Sequence, residues 1–381
     1  MQVTFTDEQL QFRDTLQRFM QHRSPSREVR RLMDTDQGFD AELWQALAEE
    51  LALPGLIVPE AYGGYGFGTV ELGIAMEEMG RALLCAPFLS SAVLASQALL
   101  QAGSEAQKER WLPQLADGTL RGCVAFTEPD GGWTCDGIAT TAAPAGSGYR
   151  LNGVKRFVID GATAQLVIVA ARAPGSSGLD GLSLFAVAPD ASGLERRPLQ
   201  TLDATRKQAQ LHFTDTPAEL LGQAGDGAAQ LGRVLDLALI ALANEMVGGA
   251  QRLHDMTIDY VKLRVQFGRA IGSFQAVKHR CADMLLEVEL AKSAAYHAAA
   301  AADAADPNLP ALASLAKSAA ADAYMGAART CIQLHGGIGF TWDHDAHLWF
   351  KRAKSSEVLF GDPGAHRERM LSCWLEQGAT P

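Results

Sequence analysis

At 381 residues the chain exceeds what a single hydrophobic core supports, so two or three packed domains are expected. Apolar residues make up 48% and charged residues 20%, so no part of it is disordered by composition. The formal net charge of -11 argues against a nucleic-acid binder, which needs clustered cations, yet leaves room for a polyanionic ligand held by local Arg and Lys. Asp7 and Glu8 stand where a signal peptide would carry cations, and no apolar run approaches a membrane span. Cys85, Cys123, Cys135, Cys281, Cys331 and Cys373 are scattered without a CxxC pair, which suits reduced thiols and a cytoplasmic protein.

Helices are expected first. Thr6 precedes an amphipathic run over 7–23, with Leu10, Phe12, Leu16 and Phe19 on an imperfect stripe. Further helices are expected over 39–52, 69–82 and 104–115, with a Pro- and Gly-rich loop from Leu53 to Gly68. Near Leu120 the pattern changes to short runs rich in β-branched and aromatic residues: RGCVAFTE, GYRLNGVKRFVID, AQLVIVAAR, LSLFAVAP and KQAQLHFTD. Asn152-Gly153 predicts a tight hairpin turn between two of them. No long helices intervene, so an antiparallel sheet is expected, open or closed as a small barrel. Beyond Ala228 four long helices are expected, over 231–265, 275–304, 311–334 and 345–360, joined as an antiparallel bundle. The fold class is therefore α+β: a helical domain over 1–118, a β domain over 119–227 and a four-helix bundle over 228–381.

Four stretches carry candidate chemistry. Cys123 to Gly132 is a strand ending at Thr127 that turns through Pro and Gly; taken alone, a strand and turn with no further role is the better reading. Gly153 to Gly161 is a strand carrying Phe157, which suits either an aromatic cofactor or an ordinary core. Arg264 to Gln275 joins an Arg at a helix end to a Gly-containing loop and a new helix, a combination able to hold a pyrophosphate or simply to connect two helices. Gln333 to Gly339 places paired glycines after a helix, where they permit close backbone approach or merely cap it.

Together and in this order, from about Phe5 to Arg369, these stretches resemble the acyl-CoA dehydrogenase family. FTEPDGG is similar to the flavin-side strand, KRFVIDG to the flavin-stacking strand, and RVQFGRAIGSFQ and QLHGGIGF to the two FAD-diphosphate signatures, with GSFQAVKHRCADM extending the match. The resemblance implies FAD as cofactor, with Phe126, Thr127 and Gly132 and then Phe157 and Val158 near the flavin ring. It implies that Arg264, Phe267, Phe274, Gln275, Gln333, Gly336 and Gly337 serve the FAD of a neighbouring subunit, in a homodimer or homotetramer. It further implies α,β-desaturation of an acyl-CoA thioester, with electrons passed to an electron-transfer flavoprotein. A carboxylate removes the α-proton while the β-hydrogen leaves as hydride to the flavin.

This sequence departs from the pattern at the base. The position of the usual C-terminal carboxylate is Gly361, and the alternative on the first bundle helix is Ala238. The nearest carboxylates are Asp362, on a short Gly-hinged loop, and Glu245, about two turns along that helix. Trp133-Thr134 replaces the family's Ser-Asp pair, and no Arg stands beside Ala238, so a branched, ring-bearing or dicarboxylic acyl group is expected. Two other readings remain open. One is a same-fold desulfinase, lyase, oxidase or monooxygenase; the other is a non-catalytic subunit of a hetero-oligomer. His344, Asp345 and His347 read as a helix start rather than a metal site, and no GxSxG, Walker or GxGxxG motif is present.

Overall fold

A computed structural model of the chain describes residues 5–146 and 148–376. The N-terminal helices are α1 (Asp7–Arg23), α2 (Ser26–Met33), α3 (Ala41–Glu49), α4 (Thr69–Ala82), α5 (Ser96–Ala102) and α6 (Glu105–Ala116), with a π-helical segment over Phe88–Ala95. Their starts are written in the sequence. Thr6 and Gln9 form a capping box on α1, Asp40 caps α3, and Ser104 and Gln107 form a capping box on α6.

The strands are β1 (Gly122–Ala125), β2 (Thr141–Ala145), β3 (Gly148–Ile159), β4 (Leu166–Arg172), β5 (Leu182–Val187), β6 (Leu194–Leu199) and β7 (Gln208–Leu221). The sheet closes on itself: β4 pairs β2, β2 pairs β3, β3 pairs β7, β7 pairs β5, and β5 returns to β4. β1 extends the sheet from β4 and β6 from β7. The ring encloses a core that includes Val167, Val169, Phe185, Leu211 and Phe213. The expectation of a purely antiparallel sheet is corrected, because β1 runs parallel to β4, and β2 meets β4 in parallel at Thr141 and Arg172.

A second correction concerns Asn152-Gly153, which makes no hairpin turn. Both residues lie inside β3, with Asn152 opposite Thr141 and Gly153 opposite Phe213, so pairing on both edges outweighs the local turn signal. Gly153 marks a register shift. A Cβ there would lie 2.5 Å from Thr140 Oγ1, which explains why the position lacks a side chain. The β2–β3 ladder begins instead at Ala145 and Gly148.

The C-terminal helices are α7 (Gly227–Leu263), α8 (Gln275–Asp303), α9 (Leu309–His335), α10 (Ala346–Val358) and α11 (Pro363–Glu376), the last a fifth helix beyond the four expected. A two-residue ladder, β8 (Val265–Gln266) with β9 (Arg269–Ala270), links α7 to α8. α8 and α9 pack together. Each buries small residues at three- and four-residue spacing, Ala291, Ala295 and Ala298 on one and Ala313, Ala316, Ala320 and Ala323 on the other.

By contacts the described chain forms two compact units. One holds the residues up to Arg31, Thr69–Leu84 and Leu239 onward; the other holds Leu32–Gly68 and Cys85–Ala238. Among the described residues no helix is long and apolar enough to cross a membrane.

Candidate functional site

In the unit that carries the sheet, the end of β1 is bound to β3. The Arg156 N–H donates to Thr127 O at 2.9 Å, and the Thr127 hydroxyl donates back to Arg156 O. Phe126, Thr127 and Val158 are buried, and the rings of Phe126 and Trp133 lie 6.0 Å apart. Gly132 is exposed, its N–H donating to Asp130 Oδ1 at 3.2 Å. Phe157 is half-buried and holds a φ of +58°, in the left-handed region that an aromatic residue avoids. These predicted residues therefore share one edge of the sheet domain.

Two residues that sequence reasoning passed over support this edge. Lys155 is fully buried and donates to Glu128 Oε1 at 2.7 Å and to Phe126 O at 3.1 Å. Glu128 also accepts from the Thr140 N–H at 2.8 Å, the Thr140 hydroxyl at 2.7 Å and the Ala139 N–H at 2.9 Å. Burial draws the Lys155 ammonium down to about 8, against the pull of Glu128. Burial pushes the Glu128 carboxyl up, but Lys155 and Thr140 more than reverse this and hold it below its ordinary value. The sequence gives little sign of this, because Lys155 stands in a strand that also carries Arg150, Asn152 and Arg156, where a cation reads as solvent-facing.

In the helical unit the other predicted residues gather at the ends of α7 and α9. The Tyr260 hydroxyl donates to His335 O at 3.2 Å, and the two rings stack 4.2 Å apart. This contact brings Arg264, one turn beyond Tyr260, near the loop that opens at Gly336. The Ile271 N–H donates to Arg264 O at 2.8 Å, closing the α7–α8 connection. Phe267 is 92% exposed; its ring meets Phe274 edge-on at 6.2 Å, and the Arg269 guanidinium lies 4.0 Å over Phe274.

α8 starts at Gln275 with no side-chain cap, so its first N–H groups stand available to an anion. Gly336, with φ +65°, and Gly337 have nothing within 4 Å of a built Cβ, so a ligand can approach that backbone closely. Gln333 lines an adjoining cavity of about 450 Å³ with Arg329, Phe340, Trp342 and Lys351. An uncapped helix start, exposed Arg264 and Arg269, and an open glycine pair fit the diphosphate of a dinucleotide.

The candidate bases are differently placed. Glu245 is buried, and Arg352, itself buried, donates to its Oε1 at 2.6 Å. Asp362 is exposed, and its Oδ1 accepts the Ala365 N–H at 2.9 Å, capping α11. The loop before it is clamped from below. Buried Lys317 donates to Glu357 O and Gly361 O, each at 3.1 Å, and His366 meets Phe360 O at 3.1 Å. Burial, then Lys317 and Arg369, lower the His366 imidazole to about 4, so it is neutral near pH 7 and donates through Nε2. Sequence reasoning missed both clamps, because a buried lysine on an alanine-rich helix carries no motif.

Asp345 pairs with Arg30 at 2.8 Å, which also reaches His347 Nε2 at 3.4 Å. Among the described residues no group of three His, Cys, Asp or Glu could hold a metal ion.

Comparison with known proteins accords with this geometry. Three consecutive domain profiles match: the acyl-CoA dehydrogenase N-terminal domain over residues 6–119, its middle domain over 123–216 and its C-terminal domain over 225–372. Acyl-CoA dehydrogenase IpdE2 of Mycobacterium tuberculosis is 34% identical, over 97% of this chain and 98% of that protein. Among solved structures, a variant of the Tcur3481-Tcur3483 steroid ACAD superposes with a TM-score of 0.88 at 30% identity, covering 98% of this chain and 99% of that one. Butyryl-CoA dehydrogenase from Megasphaera elsdenii gives 0.92 at 27% identity, over 98% of this chain and 100% of that one. With full-length similarity and all three domains in order, the chain belongs to the acyl-CoA dehydrogenase family.

Proposed function

We propose that this FAD-dependent oxidoreductase desaturates the α,β-bond of a ring-bearing acyl-CoA thioester. The observation that carries the reading is the α7–α8 connection. The bare N-terminus of α8, with Arg264 and Arg269 before it and Gln333, Gly336 and Gly337 beyond the Tyr260–His335 contact, suits a cofactor diphosphate. Phe126, Thr127, Gly132, Phe157 and Val158 form the edge offered to the ring of a bound flavin. FAD, when bound, supplies the acceptor for the hydride that leaves the β-carbon.

The exposed aromatic residues Phe267, Phe340 and Trp342 support a site completed by a second subunit, in a dimer or tetramer. The acyl assignment rests on two things. Trp133 brings an indole to the turn after β1, beside Phe126, where a flat apolar substituent would be recognised. A structural relative carries the word steroid in its name.

For the chemistry, a carboxylate must take the α-proton. Of the two candidates, Glu245 is buried and already paired with Arg352, which donates to its Oε1 at 2.6 Å, so taking a proton there would break a buried ion pair. Asp362 follows two residues with left-handed backbone, Phe360 at φ +62° and Gly361 at φ +107°. Its carboxylate is exposed, with one oxygen engaged by α11. Asp362 therefore serves as the base.

One observation favours a second reading. With Glu245 paired to Arg352 and Asp362 capping a helix, the chain offers no carboxylate free of structural work among these candidates, and the steroid ACAD's name joins two designations. In this reading the protein is one half of a hetero-oligomeric dehydrogenase, and the base comes from the partner.

Anaerobic mixing of the flavin-loaded protein with steroid-side-chain and straight-chain acyl-CoA thioesters tests both. Bleaching with the wild type that Asp362→Asn abolishes, FAD retained, supports the first. Bleaching that survives Asp362→Asn refutes Asp362, and bleaching only after a second chain is added supports the hetero-oligomer. An electron-transfer flavoprotein is the expected acceptor.

A further inference from the structure

A fully buried lysine inside a β domain is costly unless its charge is met, and Lys155 is met by a carboxylate and a backbone carbonyl. One of its N–H groups donates to Glu128 Oε1 and another to the Phe126 carbonyl. The Glu128 carboxylate in turn receives four donors: the Lys155 ammonium, both Thr140 groups and the Ala139 N–H. Immediately beside this pair, the Thr127 and Arg156 backbones are joined in both directions, through the Arg156 N–H and the Thr127 hydroxyl.

The same place is where β3 leaves its ladder. Its register against β7 shifts between Lys155 and Val158, so Arg156 and Phe157 stand outside the pairing. Phe157 takes its left-handed φ there. A conformation of that kind persists only where the surroundings over-determine it. The surroundings that do so are the buried pair on one side and Val158, re-entering the ladder opposite Ala209, on the other.

We propose that Lys155 and Glu128 are positioning residues for the flavin. Their ion pair locks Phe126–Thr127 and Arg156–Phe157 into one rigid edge, aimed at the ring before any cofactor arrives. This rests on the FAD reading above and assigns the residues that make that edge stiff. Neither residue touches a reacting atom; each acts through Phe126, Thr127 and Phe157.

The test uses apoprotein reconstituted with FAD, with three readouts: melting of the apoprotein, the FAD dissociation constant from fluorescence quenching, and the position of the flavin absorption bands. Two variants are compared with the wild type. Lys155→Met/Glu128→Gln removes both charges together and so leaves neither ion orphaned. Thr140→Val is isosteric, keeps both charges and deletes one donor to Glu128.

The double variant, where folded, is expected to bind FAD about tenfold more weakly with displaced bands, and Thr140→Val to move both readouts a smaller amount in the same direction. Variants that melt lower yet bind FAD with the wild-type constant and unshifted bands overturn the proposal, because the pair then only stabilises the domain. Should the double variant not fold, Thr140→Val decides alone on the same criteria. A wild-type protein that takes up no FAD overturns the cofactor reading itself, and this proposal with it; that outcome is distinguishable because it precedes any comparison of variants.

Discussion

Glu78 sits on α4, only 4% exposed, lining a polar cavity of about 400 Å³ with Gln17, Ser26, Arg81 and Trp349. Burial first, and then adjacent Glu77, raise its carboxyl to about 7, with Arg81 and Arg13 opposing. An acid with a folded pKa above its unfolded value holds its proton more tightly when folded. Its contribution is therefore complete below about pH 4.5 and is lost as pH rises through 7. A shift of this size corresponds to roughly 3 kcal/mol. Glu78→Gln should flatten that dependence, measured as urea unfolding at pH 5 and pH 8; a wild-type slope that persists in the variant would place its origin elsewhere. At this scale the sequence was least legible. Glu78, Lys155 and Lys317 read as ordinary charged residues, because nothing local distinguishes a solvated charge from one that tertiary packing encloses. Gly361, the position where the resemblance expects a carboxylate, shows nothing of its conformation in the sequence. With φ +107° and His366 Nε2 3.1 Å from a built Cβ, that position does not accept a carboxylate side chain unless the loop moves.

Among the elements, α4 and α7 cross without intervening side chains. A Cβ on Gly80 would fall 1.9 Å from Glu245 O, and one on Gly248 would fall 1.8 Å from Glu77 O. Gly248→Ala should therefore force the helices apart and cost about 1–3 kcal/mol. Gly326, in α9 with nothing within 4 Å of its built Cβ, is the control, since alanine there should stabilise by up to about 1 kcal/mol. Melting curves of the two variants check both signs; equal effects would mean that helix propensity, not the crossing, governs. Caps and apolar periodicity made the long helices readable, and the Thr6 and Ser104 capping boxes fixed two starts. The Asn152-Gly153 turn was misread because strand pairing, unlike capping, depends on residues far along the chain. The same distance hid the parallel partners of β4 and the short strands β2 and β6.

For the whole molecule, the net charge of -11 means that an anionic cofactor must be drawn in by local groups, and Arg264 and Arg269 are exposed cations close before the start of α8. If FAD is shared between subunits, its affinity depends on protein concentration. Dilution of the holoprotein towards nanomolar concentration should release FAD and lower the melting temperature, and excess FAD should restore it. A ligand at about 100 times its dissociation constant adds roughly 2.7 kcal/mol. Flavin fluorescence that stays quenched on dilution would mean that one subunit suffices. The family was legible in the sequence because its resemblance is carried by short, ordered segments such as QLHGGIGF. The base was not, since the residue types that mark it are absent from their usual positions.

The ring of strands is joined unevenly. β4 meets β5 through six facing residue pairs but meets β2 through one, Thr141 opposite Arg172. That seam is where the barrel should breathe. The Arg172 amide, bonded to Thr140 O at 2.9 Å, would be the first of its strand to trade its hydrogen with solvent. Because Thr140 also holds Glu128, each such opening would slacken the strand edge proposed to face the flavin, so a cofactor bound there would be felt as slower exchange at a position it never touches.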